Sequence, residues 1–533
     1  MLPIVHCMPT VRRITHDFLE RRGLTTIFGN PGSNELPFLT DLPSSFDYVL
    51  GLHEGVVVGM ADGYAQATGQ PVLVNLHAAA GSGNAMGALT NAVYSRSPLV
   101  ITAGQQVRSA IGLEAMLANT EATQLMRPLV GWAGEPSCAA DVPRALAQAV
   151  FEAELQRRPT YLSVPYDDWD VELDSNATVT LDRQVWRGSA PNEAHLDMIV
   201  DRIKAARGVG LVLGGEIDAG GLFDRAVALA EHLQAPVWMA PSPYRLSFPN
   251  RHRLFRGVLS AGIGHVSTEL AGLDEILVLG APVFRYHQNV PGPYLPDGSR
   301  LIQVTEDAGS ATRAPMGEAL VADPGVVIEA LLSRVPASPH ARGQGFAPNP
   351  QPASGDGALH PEQVFAALRD TQPADTGYVV ESTSTNTAWW RQVDLRMPGS
   401  YFWPASGGLG FGMPAAVGVA MGRPSRPVVA VIGDGSANYG ITALWSAAHY
   451  NVPVTFVILR NGSYGALRWF GALLGTPDVP GTEIPGLDFT RIAEGYGVPA
   501  TAITEEDDLR AVLSTVPTGP RLIQVDTHLT TPE

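Results

Sequence analysis

One stretch, residues 427–461, constrains the fold of this chain more than any other: PVVAVIGDGSANYGITALWSAAHYNVPVTFVILRN. It begins with an apolar run at Val428–Ile432, typical of a strand buried on both faces, which ends at a Gly-Asp-Gly sequence centred on Asp434. Apolar residues then recur at helical spacing, and a second apolar run, Val454–Leu459, ends at Asn461. This pattern predicts a βαβ unit with a polar residue at the end of each strand, at the edge where open α/β sheets bind ligands.

The polar residues at the two predicted strand ends indicate a cofactor. The carboxylate of Asp434 and the amide oxygen of Asn461 suit Mg²⁺, which keeps its other coordination positions for phosphate oxygens. Gly433 and Gly435 allow the backbone to approach a diphosphate closely. The stretch therefore predicts a diphosphate-bearing cofactor that is bound through a divalent metal.

A Gly-Asp-Gly sequence alone is a weak signal, because a second copy occurs at Gly355–Gly357 with Asn386 downstream. That copy lies in a segment rich in Pro, Gly and Ser, and no strand is predicted before it, so we interpret it as linker. Around Asp434 the strand, turn, helix and second strand occur in order, and Asn461 follows 27 positions later. The alternative structural interpretation is an ordinary βα turn with an Asp helix cap.

Composition limits the classes of protein that this chain can belong to. A length of 533 residues suggests about three domains, and 45% hydrophobic with 16% charged residues is typical of a globular protein with large buried sheets. The formal charge of −17 argues against non-specific binding to nucleic acid or anionic membranes. No apolar run reaches the roughly 18 to 20 residues of a membrane span, and no secretory signal is evident. Two cysteines, Cys7 and Cys138, form no framework or clustered metal site, so a cytoplasmic location is the simplest interpretation.

The chain alternates apolar runs with helical patterns, which predicts an α/β protein of three domains, each an open, mostly parallel sheet flanked by helices. We place the domains at residues 1–180, 181–335 and 359–533, with a linker at 336–358. No G-x-G-x-x-G or G-x-S-x-G sequence occurs, which argues against a dinucleotide-dependent oxidoreductase and a serine hydrolase. The predicted strands are Thr25–Phe28, Tyr48–Leu52, Val72–Leu76, Leu99–Thr102, Tyr161–Val164, Gly210–Leu213, Pro236–Met239, Ile276–Leu279, Leu301–Val304, Tyr378–Val380, Val428–Ile432, Val454–Leu459 and Leu522–Val525.

Further segments carry a resemblance that runs over essentially the whole chain. The sequence resembles the benzoylformate decarboxylases, one branch of the 2-oxo-acid decarboxylases that depend on thiamine diphosphate (ThDP). The resemblance implies a pyrimidine-binding first domain and a third domain that binds the diphosphate and metal. The segments that carry it are GNPGSNELPF (29–38), NLHAAAGSGNAMGAL (75–89), VPYDDWD (164–170), GAPVFRYHQ (280–288), ESTSTN (381–386) and GGLGFGMPAA (407–416).

For the cofactor site, the resemblance implies ThDP with Mg²⁺. Glu54 matches the family glutamate that hydrogen-bonds the aminopyrimidine ring, although an acid in the first turn of a helix also complements the helix dipole. Leu409 matches an apolar wedge that bends the two cofactor rings together. The implied metal ligands are Asp434, Asn461 and the carbonyl of Ser463. The other implied cofactor-binding residues are Thr383, Ser384, Gly407, Gly433, Gly435, Ser436 and Tyr464.

For the substrate, the resemblance implies that Ser33 donates to the carboxylate and that His77 and His287 relay protons. The other singled-out histidines, His16, His53, His232 and His449, are interpreted as structural. An apolar wall around an aromatic substrate is expected, although core packing on an amphipathic helix would explain part of the same pattern. The wall residues are Met116, Leu117, Trp403, Ala466, Leu467 and Phe470.

These expectations amount to an enzyme that converts an aromatic 2-oxo acid, benzoylformate, to benzaldehyde and CO₂ without oxidation. Departures from the family pattern at Arg460, Asn386, Trp403-Pro404 and Ser406 leave the choice of 2-oxo acid open. The alternatives are a carboligase, a decarboxylase of another aryl or branched 2-oxo acid, and a ThDP-binding protein without catalytic activity. The resemblance also implies a homotetramer, a dimer of dimers with active sites between chains.

Overall fold

The computed structural model describes residues 8–174, 178–179, 182–188, 190–338, 345–354 and 357–530. Cys7 and most of the second Gly-Asp-Gly sequence lie outside these ranges. The described chain forms three six-stranded sheets in which every strand pair is parallel, each sheet flanked by helices. The predicted α/β architecture is therefore confirmed. None of the helices in the described ranges has the length and apolar character needed to cross a bilayer.

The first sheet consists of strands β1–β6, paired in the order β2-β1-β3-β4-β6-β5. Successive residues of β1 face opposite sides: Ile27 contacts the core under helices α1 and α7, and Phe28 the core under α3 and α4. The strands are Thr26–Gly29, Asp47–Leu50, Val72–Leu76, Leu99–Gln105, Trp132–Gly134 and Thr160–Pro165. The helices α1–α7 are Val11–Arg21, Leu36–Leu39, Glu54–Thr68, Ala78–Tyr94, Arg108–Ile111, Ala122–Met126 and Val142–Gln156.

The middle sheet consists of strands β7–β12 in the order β12-β11-β10-β7-β8-β9, so the chain reverses direction across the sheet between β7 and β10. The strands are Val209–Leu213, Val237–Met239, Phe255–Val258, Glu275–Leu279, Arg300–Thr305 and Glu318–Val321. The helices α8–α13 are Glu193–Ala205, Gly215–Ala219, Phe223–Leu233, Ile263–Glu269, Ala308–Arg313 and Pro324–Arg334.

The third sheet consists of strands β13–β18 in the order β14-β13-β15-β16-β18-β17. Its centre is the βαβ stretch predicted from the sequence, since β15 pairs with β16 over its whole length. The strands are Gly377–Glu381, Tyr401–Phe402, Val428–Gly433, Val454–Arg460, Ala500–Ile503 and Arg521–Asp526. The helices α14–α21 are Pro361–Thr371, Asn386–Gln392, Gly412–Gly422, Asp434–Ala437, Ala443–His449, Gly465–Leu473, Phe489–Gly495 and Glu506–Leu513.

The first and third domains pack against each other through α3 and α16. Both helices are rich in small residues, and a side chain added at Gly63 or Gly418 would overlap backbone atoms of the opposite helix. Buried residues of the two helices belong to one continuous apolar core that also includes strands of both sheets. The two domains are thus joined by helices whose backbones are in direct contact.

Candidate active site

Three strands of the first sheet end at a buried carboxylate that the sequence did not single out, Glu35. One of its oxygens accepts hydrogen bonds from the amide of Gly32 (2.9 Å) and from Nδ1 of His77 (2.7 Å). The other oxygen accepts from the amides of Ala78 (3.2 Å) and Gly104 (2.8 Å). The His77 ring lies directly against the backbone of Gly32, so the proposed proton carrier and the turn that leads to Ser33 are in contact.

Glu54 lies at the first position of α3, close to the start of α4. Its carboxylate is 8% exposed and accepts a hydrogen bond from Asn84 Nδ2 at 3.0 Å. Gly81 on α4 faces the same carboxylate, and a side chain there would contact it. The neighbouring His53 accepts from the amide of Gly55 and caps α3, which agrees with a structural role for that histidine.

The third sheet brings the predicted metal ligands together. Asp434 is 2% exposed; its Oδ2 accepts from the amides of Asn461 (2.9 Å) and Gly462 (2.7 Å), and its Oδ1 from the amide of Gly435 (2.8 Å). Asn461 Oδ1 accepts from the amide of Ser463 at 3.0 Å. Burial raises the pKa of Asp434, and the amide bonds oppose that shift. A carboxylate and an amide oxygen are therefore fixed at the ends of neighbouring strands.

Arg460, one departure from the family pattern, points away from Asp434. Its guanidinium makes a bidentate pair with Asp526 at 2.6 and 2.7 Å and donates to the carbonyl of Leu487. Successive residues of a strand face opposite sides of the sheet, so this orientation follows from the position of Arg460 immediately before Asn461. The charge of this arginine is thus paired with a carboxylate of β18.

Several small and hydroxyl residues lie on the segments next to Asp434 and Asn461. The Tyr464 ring lies against the backbone of Gly435, and Gly465 contacts Ser384. Thr383 and Ser384 form a single 3₁₀ turn at the end of β13. Among the described residues, no hydrogen bond engages the hydroxyls of Thr383, Ser384 or Ser436, so these donors are available to an anionic group.

The glycine-rich segment before α16 is fixed from two sides. Asn91 on α4 donates to the carbonyl of Gly408 at 2.9 Å. Glu381 at the end of β13 is fully buried and accepts hydrogen bonds from three consecutive amides, those of residues 410–412, at 2.7 to 3.3 Å. Gly407 has a φ of +80°, a conformation that favours glycine. Leu409 lies between the two anchors, at a position where its backbone is fixed.

His287 reaches the third domain from the middle domain. Its ring meets the Phe470 ring edge-on at a centroid distance of 4.7 Å. Two residues earlier, the Arg285 guanidinium donates to the carbonyl of Ala405 and lies 4.2 Å from the centre of the Tyr94 ring. Arg285 therefore connects the segment that carries His287 to both other domains.

The six predicted wall residues do not share one environment. Ala466, Leu467 and Phe470 lie on α19, where Leu467 is 52% exposed and Phe470 is half-buried beside His287. Met116 is 84% exposed on the segment after α5. Leu117 next to it has a φ of +67°, and Trp403 packs against the core of the third domain. Of these six residues, Phe470 on α19 is in ring contact with a predicted catalytic residue, His287.

The predicted site residues thus form two groups. The first-domain group is Ser33, Glu54 and His77; the second combines the third-domain residues around Asp434 with His287. No hydrogen bond, ion pair or ring contact between described residues joins Glu54 to Asp434 or its neighbours.

The residues present fit a metal-bound diphosphate cofactor. Asp434, Asn461 and the Ser463 carbonyl are hard oxygen donors, and Asp434 Oδ1 and Asn461 Oδ1 each accept one amide and keep a lone pair. The described residues contain no cluster of three or more His, Cys, Asp or Glu, so the donor set is poor in charge and leaves room for phosphate oxygens. The hydroxyls of Thr383, Ser384 and Ser436, on neighbouring segments, are donors of the kind that phosphate oxygens accept.

Comparison with known proteins agrees with this geometry. Residues 9–126, 196–331 and 382–525 match the N-terminal TPP-binding, central and C-terminal TPP-binding domains of thiamine pyrophosphate enzymes. A benzoylformate decarboxylase of Pseudomonas aeruginosa is 55% identical over 98% of this chain and 100% of that protein. The chain belongs to the benzoylformate decarboxylase family of thiamine pyrophosphate enzymes.

Solved structures in the family have the same fold throughout. A ThDP-dependent 4-hydroxybenzoylformate decarboxylase of Rhodococcus jostii RHA1 superimposes with a TM-score of 0.96 at 53% identity, over 98% of this chain and 99% of that one. Benzoylformate decarboxylase of Polynucleobacter necessarius gives 0.95 at 36% identity, over 98% and 100%. The family resemblance predicted from the sequence is confirmed, and the protein is a ThDP-dependent decarboxylase.

Proposed function

We propose that this enzyme converts benzoylformate to benzaldehyde and CO₂ with ThDP and Mg²⁺. The observation that carries the proposal is the contact between His287 and Phe470, which puts a proton carrier beside an aromatic side chain on α19, the helix that begins four residues after Asn461. Similarity to a protein named benzoylformate decarboxylase over the whole chain supports the same substrate.

In this proposal Asp434, Asn461 and the Ser463 carbonyl bind Mg²⁺. The hydroxyls of Thr383, Ser384 and Ser436 donate to the diphosphate, with backbone access at Gly407, Gly433 and Gly435 and the Tyr464 ring alongside. When bound, ThDP accepts the electron pair that is left as CO₂ departs. Leu409 would contact the bound cofactor from its fixed backbone position.

The remaining roles concern protons and water. Glu54 would hold a proton toward the aminopyrimidine ring of bound ThDP, and its low exposure keeps this carboxylate away from bulk solvent. Ser33 donates to the substrate carboxylate, and His77 and His287 deliver protons to the departing product. Ala466, Leu467 and Phe470 supply an apolar wall, to which Met116, Leu117 and Trp403 add.

The assembly we propose is a homotetramer, a dimer of dimers, with each site shared by two chains. It is supported by the contacts within one chain, because no hydrogen bond, ion pair or ring contact between described residues joins Glu54 to Asp434 or its neighbours. It is also supported by exposed apolar side chains on segments next to the site residues, including Leu113, Met116 and Leu474. We further propose a cytoplasmic location, which suits the free, exposed thiol of Cys138.

A panel of 2-oxo acids tests the substrate. CO₂ release is measured for benzoylformate, 4-hydroxybenzoylformate and branched and linear aliphatic 2-oxo acids, with ThDP and Mg²⁺ present. We expect kcat/KM for benzoylformate to exceed that for the aliphatic acids by at least roughly tenfold, since aromatic burial against Phe470 is lost with smaller substrates. Faster turnover of the aliphatic acids contradicts the proposal, and preferred formation of hydroxy ketones from added aldehyde supports the carboligase alternative.

The variant Glu54→Gln separates an enzyme from a protein that only binds the cofactor. We expect turnover to fall by at least roughly 10² to 10⁴, because the amide cannot exchange a proton with the ring. ThDP binding, followed by quenching of tryptophan fluorescence, should stay within a few-fold of the unmodified protein. Unchanged turnover would remove Glu54 from the mechanism.

A further inference from the structure

Glu35 connects the segments of the first domain that carry the proposed substrate residues Ser33 and His77. Its side chain has no exposed surface, and it accepts hydrogen bonds at the ends of three strands, β1, β3 and β4. The partners are His77 Nδ1 and the amides of Gly32, Ala78 and Gly104. A turn between a strand and a helix does not need a buried carboxylate that accepts hydrogen bonds from four donors.

The contact with His77 determines which ring nitrogen carries a proton. An ionised carboxylate only accepts hydrogen bonds, so Nδ1, 2.7 Å from Glu35, has to be the donor. Nε2 is then the ring nitrogen left for the substrate, and the His77 side chain is 22% exposed. The ring cannot tilt freely, because its other flank lies against Gly32.

The backbone next to His77 is strained in the same place. Ala78 has a φ of +43°, an uncommon conformation for a residue with a side chain. Its amide donates to Glu35, so the carboxylate stabilises the conformation that directs His77 out of the sheet edge. Gly104 donates to the same oxygen and connects this corner to β4.

We propose that Glu35 is the positioning residue of the substrate site: it fixes the tautomer and direction of His77 and the place of the Gly32–Ser33 turn. This inference rests on the proposed function, because it assigns Glu35 a role through His77 in that reaction. Glu35 touches neither substrate nor cofactor in this assignment. Its effect is to keep a proton-transferring nitrogen and a carboxylate-binding hydroxyl at a constant separation.

Two tyrosines near Glu35 carry no charge at neutral pH. Tyr48 and Tyr161 lie within its electrostatic reach, and burial raises the pKa of Tyr48 above its ordinary range and that of Tyr161 to about 12. Both phenols therefore stay neutral while His77 works. A change in the pH profile on altering Glu35 therefore does not come from either phenol.

The test is a double-mutant cycle of Glu35→Gln with His77→Ala in the full-length enzyme with ThDP and Mg²⁺. Glu35→Gln replaces one acceptor oxygen of the carboxylate with an NH₂ group, which then faces a donor: His77 Nδ1 or a backbone amide. This disfavours the His77 tautomer that has its proton on Nδ1. We expect Glu35→Gln to lower kcat roughly 10- to 100-fold and to change the pH profile of kcat, with ThDP affinity within about twofold. In the His77→Ala background the same change should have an effect of less than about twofold.

Three results would overturn the assignment: kcat of Glu35→Gln equal to that of the unmodified enzyme, effects of the two changes that multiply, or a kcat loss with an unchanged pH profile. If Glu35→Gln does not fold, Glu35→Asp, which keeps the charge but shortens the reach, is compared in both backgrounds under the same criteria. Glu362→Gln is the matched control, since Glu362 is a buried carboxylate that accepts an amide outside the site, and its kcat should not change. An unmodified enzyme without activity on any 2-oxo acid overturns the proposed function as well.

Discussion

The first and third domains have the same strand order but carry different chemistry. Numbered within each domain, both sheets run 2-1-3-4-6-5, and the helices that follow the second strand, α3 and α16, pack directly on each other. At corresponding places after the third strand lie His77 in one domain and Asp434 in the other. The same sheet edge therefore occurs twice, and its residue types differ: in the proposed function the first edge transfers protons and the third binds a metal.

Each edge is also organised by a buried acid that accepts backbone amides. Glu35 ties together strand ends of the first sheet, and Glu381 fixes the glycine-rich segment at the start of α16 in the third. The middle sheet has a different strand order and contributes His287 from the segment after β10. Each half of the site is therefore held by a buried acid that accepts backbone amides. The acid of one half can be substituted without changing the other.

Removing the metal ligand of the third domain should have the most severe consequence. Asp434→Ala should abolish measurable turnover, a loss of at least roughly 10³-fold, because both the Mg²⁺ ligand and the amide contacts to Asn461 and Gly462 disappear. ThDP binding by fluorescence quenching should be lost too. Asp526→Asn, at the end of β18 on the same edge, is the matched control and should retain most activity. Tight ThDP binding by Asp434→Ala would contradict the assignment of the third domain as the cofactor anchor.

Mixed assemblies test whether the two halves of one site come from different chains. Chains with Glu54→Gln and chains with Asp434→Ala should each be inactive alone. If sites form between chains, co-expression gives mixed dimers with one intact site out of two, and the activity of the purified mixed dimers should return to about half of normal. The measurement is CO₂ release by co-purified chains carrying two different affinity tags. Continued inactivity of verified mixed dimers would place both halves of the site in one chain.

The contact between the two domains has its own test. Gly418→Ala puts a methyl group into the backbone of α3 and should lower the free energy of unfolding by about 3 kcal/mol. Gly87→Ala is the control, because that α4 glycine has open space around it and alanine favours the helix by about 0.5 to 1 kcal/mol. Urea unfolding of both variants measures the difference. Equal stabilities would mean that the contact between α3 and α16 accommodates the added methyl group without a loss of stability.

Much of this arrangement could be predicted from the sequence. The long buried strands appear as apolar runs, and the structure has β3, Val72–Leu76, with the predicted bounds. Short strands such as Trp132–Gly134 and Glu318–Val321 were missed, since edge strands are half-exposed and lack a continuous apolar run. The segment after Asp434 was predicted as one helical pattern, whereas the structure breaks it into α17 and α18.

The site was predicted less completely, for a physical reason. Asp434 and Asn461 are visible because each follows its own apolar strand. Glu35 and Glu381 lie in segments that the resemblance covers, but their importance comes from amides contributed by distant parts of the chain. A carboxylate in a sequence does not reveal how many donors will converge on it. The buried, amide-accepting acids therefore become apparent only in three dimensions.

The mildest change we expect concerns the acid of the third domain and its dependence on pH. Burial raises the pKa of Glu381 to about 7, against the opposing influence of its three amide donors. Between about pH 4.5 and 7 the folded protein therefore keeps a proton that the unfolded chain has lost. The contribution of this group to stability is complete below about pH 4.5 and is lost as pH rises to about 7, a change of roughly 3 kcal/mol.

Glu381→Gln cannot titrate, so its free energy of unfolding should vary less over this range than that of the unmodified enzyme. Urea unfolding at half-unit steps from pH 4.5 to 8, with ThDP and Mg²⁺ present throughout, gives the difference between the two curves. Parallel curves would mean that the amides of residues 410–412 keep Glu381 ionised in the folded protein. In that case the anchor of the glycine-rich segment is a permanent anion, whereas diverging curves make it an acid whose charge depends on pH.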